Sequence, residues 1–215
     1  MEGKFVHFAS RSLVCRLNKH IKKDGIELQK LTIGMEILFI NITKLVAIFL
    51  FAVAMGTLYQ TLIIYTAFAM SKRYTFGLHA VNSTVCTFVS CGLFVLIPYM
   101  LTEIGISNAY VAITFSVAFL LIYRYAPADT KARPIIGARL RIRLKKKAMI
   151  CCGILMVMAL TIPVPEIKLL ITLGIVYQCI AILPFTYKIL KRSEKNYELY
   201  ENSRFSLSYT KKQDS

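Results

Sequence analysis

Long apolar runs alternate with basic clusters along this chain of 215 residues. Between residues 4 and 22, Phe5, Phe8, Ala9, Leu13, Leu17 and Ile21 recur at helical spacing. Lys4, Arg11, Arg16, Lys19, Lys22 and Lys23 mark the other side. A basic amphipathic helix of this kind lies flat on an anionic membrane surface. Gly25 offers a break before the first span. Residues 33–70 form an apolar tract interrupted by Glu36, Asn41, Lys44 and Gln60. As one helix at about 1.5 Å per residue the tract would reach roughly 57 Å, against a hydrocarbon core of about 30 Å. Either it folds into two spans near Gly56–Gln60, or only residues 45–70 cross. Further spans read as 80–100, 107–124, 148–163 and 166–185, with breaks at TEIGIS and PVPE.

Charge decides between the two options. Basic residues gather as seven in 1–30, two at Lys72–Arg73, nine in 124–147 and seven in 188–215; only Lys44 and Lys168 fall elsewhere. With two spans in 33–70, every cluster lands on one side. With one span, Lys72–Arg73 and the cluster of nine fall opposite the basic N-terminus. The positive-inside rule favours six spans with both termini in the cytoplasm. The expected fold is therefore all-α: a polytopic integral membrane protein with six transmembrane helices as three hairpins, plus an N-terminal amphipathic interfacial helix. It forms a single membrane domain over 1–215. Residues 1–30 are the basic amphipathic segment, 33–187 the six-span region with a basic cytoplasmic loop at 124–147, and 188–215 a basic cytoplasmic tail.

Composition agrees. The chain is 56% hydrophobic with a net charge of +16, and its mean hydropathy is +0.58. A soluble domain of this length would not be so apolar. The N-terminus lacks the unbroken apolar core and small-residue cleavage site of a secretory signal. Six cysteines, at 15, 86, 91, 151, 152 and 179, show no regular spacing, which argues against a disulfide framework. Zinc spacing and a Gly-rich phosphate loop are both missing from the sequence, so the expected cofactor is none. No nucleic-acid partner is expected.

Two stretches carry candidate chemistry. In RYTFGLHAVNSTVC, Arg73 to Cys86, a histidine precedes a cysteine by seven residues. Cysteine attacks as thiolate, and an imidazole can take its proton and stabilise the anion. On one straight helix residues seven apart lie about 10.5 Å apart along the axis, too far for a hydrogen bond. A working His79–Cys86 pair needs a bend, an unwound segment, or a helix that starts after His79. Gly77, and Asn82, Ser83 and Thr84 as caps, allow such a start. The plain alternative is that Cys86 is a packed small apolar residue and His79 an interfacial one. Cys91 lies deeper in its span, and Cys151 and Cys152 have no base nearby in sequence. The second stretch, YAPADTKARPIIGARLRIRLKKK from Tyr125 to Lys147, is basic and holds two prolines that discourage helix. It serves as an anchor on anionic lipid. Its ordered arrangement around Lys131, Arg133 and Pro134 also suits docking of an acidic peptide.

Taken together, the sequence resembles the AgrB family, accessory gene regulator protein B, of Gram-positive bacteria. The likeness rests on the basic N-terminal helix and GMEIL opening the first span. It continues with Gly77, His79 and Ala80, the Cys seven residues on, and YAPADTKARPI before a basic run. The resemblance implies a membrane cysteine endopeptidase in the bacterial cell membrane. Such an enzyme cleaves a small precursor peptide, AgrD, and closes a cyclic thiolactone signal through an acyl-enzyme thioester. It implies His79 and Cys86 as catalytic residues, with Lys72 or Arg73 as the basic residue upstream of Gly77. Lys72, Arg73, Gly77 and Ser83 stand as supporting residues, and Lys131, Arg133 and Pro134 as substrate-binding ones. The expected partners are the precursor peptide and membrane lipid, with a homodimer as one option. Two other classes compete: a small transporter or peptide exporter using a Glu36, Asn41 and Lys44 stripe, and a non-catalytic membrane scaffold.

Overall fold

The computed structural model describes residues 12–18, 24–77, 83–101, 104–129, 135 and 137–189. Helices dominate these residues: α1 (residues 12–18), α2 (Gly25–Ala54), α3 (Leu58–Thr75), α4 (Ser83–Cys91), α5 (Ile97–Leu101), α6 (Asn108–Tyr125), α7 (Ala138–Thr161), α8 (Pro165–Ile182) and α9 (Pro184–Ile189). A π-helical turn, Gly92–Leu96, joins α4 to α5. No β-strand occurs among the described residues. Four segments are long and apolar enough to cross a membrane: Leu31–Ala54, Thr84–Leu101, Asn108–Tyr125 and Pro165–Ile182. The chain is a membrane protein. The other two long helices, α3 and α7, each carry a basic end, Lys72 and Arg73 in one and Arg139 through Lys147 in the other.

The apolar tract 33–70 breaks at Met55–Thr57. Gly56 takes φ +70, and the Gly56 and Thr57 N–H groups donate to Val53 and Ala52 carbonyls at 3.1 and 2.9 Å. This is the double hydrogen bond of a Schellman cap, which uses glycine because the left-handed conformation strains other residues. Three boundaries differ most from those read in the sequence. Helix α8 ends at Ile182 and α9 begins at Pro184, inside the span read as 166–185, because the residue before a proline leaves the helical region. Helix α2 starts at Gly25, before the apolar tract. Helix α7 starts at Ala138, so the basic run Arg139–Lys147 is helical and continuous with the apolar segment after it. Arg, Lys and Leu are good helix formers, and their charge does not break a helix at a polar boundary. Residues 12–18 of the amphipathic N-terminal segment are helical. The rest of 4–22, and the tail beyond Ile189, lie outside the described residues.

Helices α3 and α8 are the centre of the bundle. Gly174 of α8 lies so close to α3 that a Cβ there would sit 2.8 Å from both Ala67 Cβ and the Ile64 carbonyl oxygen. Only a small residue permits this approach. The main core joins Ala67 to Phe115 and Ile122 of α6, Cys152 and Leu155 of α7, and Ile175 and Ile182 of α8. Near the start of α3, Gln60 donates to Glu166 of α8 at 3.3 Å, and Lys168 donates to Asn108 of α6 at 2.6 Å. At the other end, Thr75 meets Gln178 at 2.7 Å. Helices α3, α6 and α8 therefore run in one direction. The described residues of the Lys72–Arg73 and 124–147 clusters gather at the end where these three helices finish.

A second core positions α4. Pro98 has no N–H, so it cannot serve the Phe94 carbonyl as residue i+4 of an α-helix would. Thr61 of α3 donates to that oxygen instead, at 2.9 Å. The Phe94 ring stands edge-on to Tyr65, Phe68 and Tyr177, with centroids 5.1–5.8 Å apart. Such contacts add about 0.5–1.5 kcal/mol per pair beyond area burial. They tie the span bearing Cys86 to α3 and α8.

Candidate functional site

The segment leading to His79 is gripped from two sides. Past Thr75 the chain leaves the helix through Phe76 at φ 58, ψ −129 and Gly77 at φ +108. A non-glycine residue at positive φ costs on the order of 1–3 kcal/mol and persists only where its surroundings enforce it. Here the enforcement is visible. Gly77 N–H donates to the Ala128 carbonyl at 3.1 Å, and Ala128 N–H donates to the Thr75 carbonyl at 2.9 Å. From α8 the Gln178 amide nitrogen donates to Thr75 Oγ1 at 2.7 Å and to the Phe76 carbonyl at 2.6 Å. Thr75 Oγ1 in turn donates to the Ser71 carbonyl at 2.9 Å. A Cβ on Gly77 would lie 3.1 Å from the Ala181 carbonyl oxygen and 3.3 Å from Ile182 Cγ2. Both the φ and the space call for glycine. The two distinctive sequence stretches thus meet, residue on residue, at Gly77 and Ala128.

Cys86 is a half-buried free thiol four residues into α4, which begins at Ser83. Lys72, half-buried in the last turn of α3, is in electrostatic reach of both Cys86 and Lys44 of α2. Its Nζ stands 4.9 Å from the Phe68 ring centroid, a cation–π distance. Arg73 is exposed. Of the two candidates for the upstream basic residue, only Lys72 is half-buried. His79 lies outside the described residues, as do Lys131, Arg133 and Pro134. The Ser83 backbone opens α4.

Beside the Gly77 contact is a basic cleft of about 250 Å³, lined by Arg124, Asp129, Arg141, Lys145, Ile182 and Tyr187 among others. Asp129 is buried, and Tyr187 of α9 donates its hydroxyl to the Asp129 carbonyl at 3.0 Å. Arg141 donates to the Ile135 carbonyl at 3.2 Å, and Lys145 Nζ stands 4.1 Å from the Tyr123 ring centroid. The cleft shares Ala128 and Ile182 with the surroundings of Gly77. Among the described residues no three His, Cys, Asp or Glu side chains converge as a metal site would need.

Cys151, Cys152 and Cys179 are buried in the bundle, Cys15 is exposed on α1, and Cys91 is half-buried beside the aromatic core. In the proposed polar stripe, Glu36 and Lys44 are half-buried and Asn41 is exposed. Sequence reasoning missed Gln178 and the Lys44–Lys72 neighbourhood. Gln178 left a signal, a lone amide inside an apolar span. Lys44 left only its charge, because its neighbour comes from another helix.

The chain belongs to the AgrB family: the model of accessory gene regulator B matches residues 10–182. It is 45% identical to an AgrB-like protein of Clostridium acetobutylicum over 188 residues, covering 87% of this chain and 90% of that one. An AgrB-like protein of Listeria innocua is 42% identical over 80% of this chain and 84% of its own. The accessory gene regulator protein B of Staphylococcus intermedius is 28% identical over 80% and 90%. No solved structure matches.

Proposed function

We propose that this AgrB-family chain is a membrane cysteine endopeptidase that cleaves a small AgrD-like precursor and closes its thiolactone ring. The observation that carries the reading is the placement of Cys86. It is a half-buried thiol in the first turns of α4, within electrostatic reach of the Lys72 ammonium. Both features stabilise negative charge developing at an attacking sulfur. His79 follows the clamped Thr75–Gly77 turn by two residues and acts as the base.

The chemistry runs as follows. His79 takes the Cys86 proton, and the sulfur attacks the carbonyl at the end of the future ring. N–H groups at the start of α4 are the oxyanion donors in this scheme. The C–N bond breaks, the leaving amine receives the proton from His79, and the C-terminal tail departs, leaving a thioester on Cys86. His79, neutral again, takes the proton of the precursor's own thiol as that sulfur attacks the carbonyl; the bond to Cys86 breaks, Cys86 leaves as thiolate and recovers the proton from His79, and the thiolactone closes. The basic cleft beside Gly77, with Lys131, Arg133 and Pro134 of the same segment, docks the precursor by its acidic part. The topology belonging to this reading has six spans in three hairpins, with the basic end of the bundle and both termini in the cytoplasm. Anionic lipid surrounds that end.

Cys86→Ala and His79→Ala should each abolish cleavage of a synthetic precursor by the full chain in lipid nanodiscs. The other five cysteines should tolerate Ser or Ala. Cleavage by Cys86→Ala would overturn the assignment.

A further inference from the structure

We propose that the outer rim of the basic cleft, formed by Arg124 of α6 and Lys145 of α7 about the Tyr123 ring, binds the phosphate of one anionic glycerophospholipid whose acyl chain lies along α6. Helix α7 runs antiparallel beside α6. A Cβ on Gly153 would stand 3.6 Å from the Phe119 ring, and about two turns nearer the start of α7 the Lys145 Nζ stands 4.1 Å from the Tyr123 centroid. Arg124, the next residue, lines the same cleft. These two cations differ from the polar groups deeper in it. Asp129 is buried, and Arg141 and Tyr187 donate to the Ile135 and Asp129 carbonyls. Arg124 is exposed and Lys145 half-buried, and among the described residues neither is paired with a carboxylate.

Both cations stand at the membrane boundary. Arg124 is the last residue but one of the apolar segment Asn108–Tyr125, and Lys145, Lys146 and Lys147 end the charged part of α7 before its uncharged remainder. Lipid phosphates lie at that depth, and a basic pocket between spans is the kind of site that holds an anionic headgroup. Helix α6 supplies the rest. Ile113, Val117, Leu120 and Tyr123 are all exposed, and their helical spacing puts them on one face that ends beside Arg124. Any span shows lipid an apolar face. This one leads to two cations without a counter-charge, whose donors suit phosphate oxygens. An acidic peptide would use those charges and leave the apolar face unused, so the lipid fits both halves of the site. The assignment goes beyond peptide docking and needs none of the deeper groups.

The test titrates the full chain in a non-ionic detergent with dioleoyl phosphatidylglycerol or dioleoyl phosphatidylcholine and counts bound lipid by native mass spectrometry. One phosphatidylglycerol should bind saturably, about tenfold or more tighter than phosphatidylcholine. Arg124→Gln should weaken it about fivefold, and Arg124→Gln with Lys145→Gln about 25-fold, the scale expected of single cations at an anionic headgroup. Arg124→Lys with Lys145→Arg keeps both charges and should stay within about threefold. Arg143→Gln with Lys147→Gln removes the same charge from exposed positions of α7 outside the cleft and should stay within about twofold. Equal binding of the two lipids, no loss in Arg124→Gln, or equal loss in the two glutamine pairs overturns the proposal. Because Arg124 is exposed, Arg124→Gln decides alone if the double variant melts below the wild type. Two competitors examine the other occupants. sn-Glycerol 3-phosphate in about 100-fold excess should leave the lipid bound, since it has no acyl chain; displacement would make the rim a site for soluble phosphate. Displacement by a glutamate hexapeptide would give the rim to an acidic peptide. Either result overturns the lipid assignment. None of these measurements reads precursor cleavage, so the proposal stands or falls apart from the His79–Cys86 pair.

Discussion

Gly77 donates its backbone N–H to the carbonyl of Ala128 at 3.1 Å, and with the Ala128 N–H bond to Thr75 it joins the two stretches of sequence that carry the family likeness. Ala128 belongs to the Ala126–Asp129 segment that walls the basic cleft, and Gly77 leads into His79. A peptide seated in the cleft would therefore lie one hydrogen bond away from the turn that presents the proposed base.

Gly77→Ala should be costly for a local reason. The new Cβ meets the Ala181 carbonyl at 3.1 Å, and φ +108 is a strained value for alanine. The cost is about 1–3 kcal/mol, seen as a lower melting temperature in nanodiscs. Cleavage should fall more than tenfold, since relief of the strain moves the turn before His79. A variant that melts lower but cleaves normally would separate Gly77 from the site.

Lys72→Met should reduce precursor cleavage about tenfold, equivalent to about 1.4 kcal/mol at the transition state. Lys72→Arg should stay within about threefold, because the positive charge near Cys86 remains. The wild-type advantage should also shrink in high salt, to the extent that solvent reaches the pair. Equal loss in both variants would point to the contact with Phe68 rather than to charge.

Gly174 tests the α3–α8 contact without touching the site. Gly174→Ala places a methyl 2.8 Å from the Ile64 carbonyl oxygen and should destabilise by about 1–3 kcal/mol. Gly34→Ala, in α2 with open space around it, should be neutral or gain up to about 1 kcal/mol. Comparable melting temperatures for the two variants would mean that α3 and α8 are farther apart than described.

Topology can be read with single cysteines in a chain otherwise free of thiols. Ser107, just before α6, and Ala138, opening α7, are exposed at opposite ends of the bundle. Ser107→Cys should react with an impermeant maleimide from outside intact cells, and Ala138→Cys only after lysis. Labelling of both from one side would overturn the six-span reading and the cytoplasmic placement of the site.

How much of this was legible beforehand depends on whether the cause was local. The break at Gly56 was, because an over-long apolar tract must turn and a glycine marks where. The end of α6 was also local, set by the Pro127 that follows it, whereas the span read as 166–185 stops at Ile182, before Pro184. The start of α7 was not: a run of Arg and Lys looks like a loop by charge, yet those residues have good helix propensity. The site itself was legible as residue types and illegible as geometry. Nothing in the spacing of His79 and Cys86 indicates that Lys44 and Lys72 come together, or that Ala128 and Gln178 hold the turn. Those relations depend on which helices pack side by side, and α3 against α8 is a contact between elements far apart in the chain.

The proposed thioester makes the last prediction. A thioester on Cys86 retains most of the acyl reactivity that hydrolysis would discard. Attack by the precursor's own thiol exchanges one thioester for another and is nearly isoenergetic, whereas attack by water is strongly downhill. Ring closure therefore needs speed and exclusion of water rather than driving force. Speed comes from tethering, since thiol and acyl carbon belong to one bound chain and meet at high effective concentration. Exclusion fits a thiol half-buried at the start of α4, which packs against α2. A precursor whose ring cysteine is replaced by Ala removes the second nucleophile but leaves the first step intact. It should still lose its C-terminal tail and then accumulate as an adduct on Cys86, visible by intact mass and released by neutral hydroxylamine. Cys86→Ala should form no adduct under the same conditions. Tail release without adduct, even after rapid quenching, would mean that water attacks the scissile bond directly and that the ring is closed by another agent.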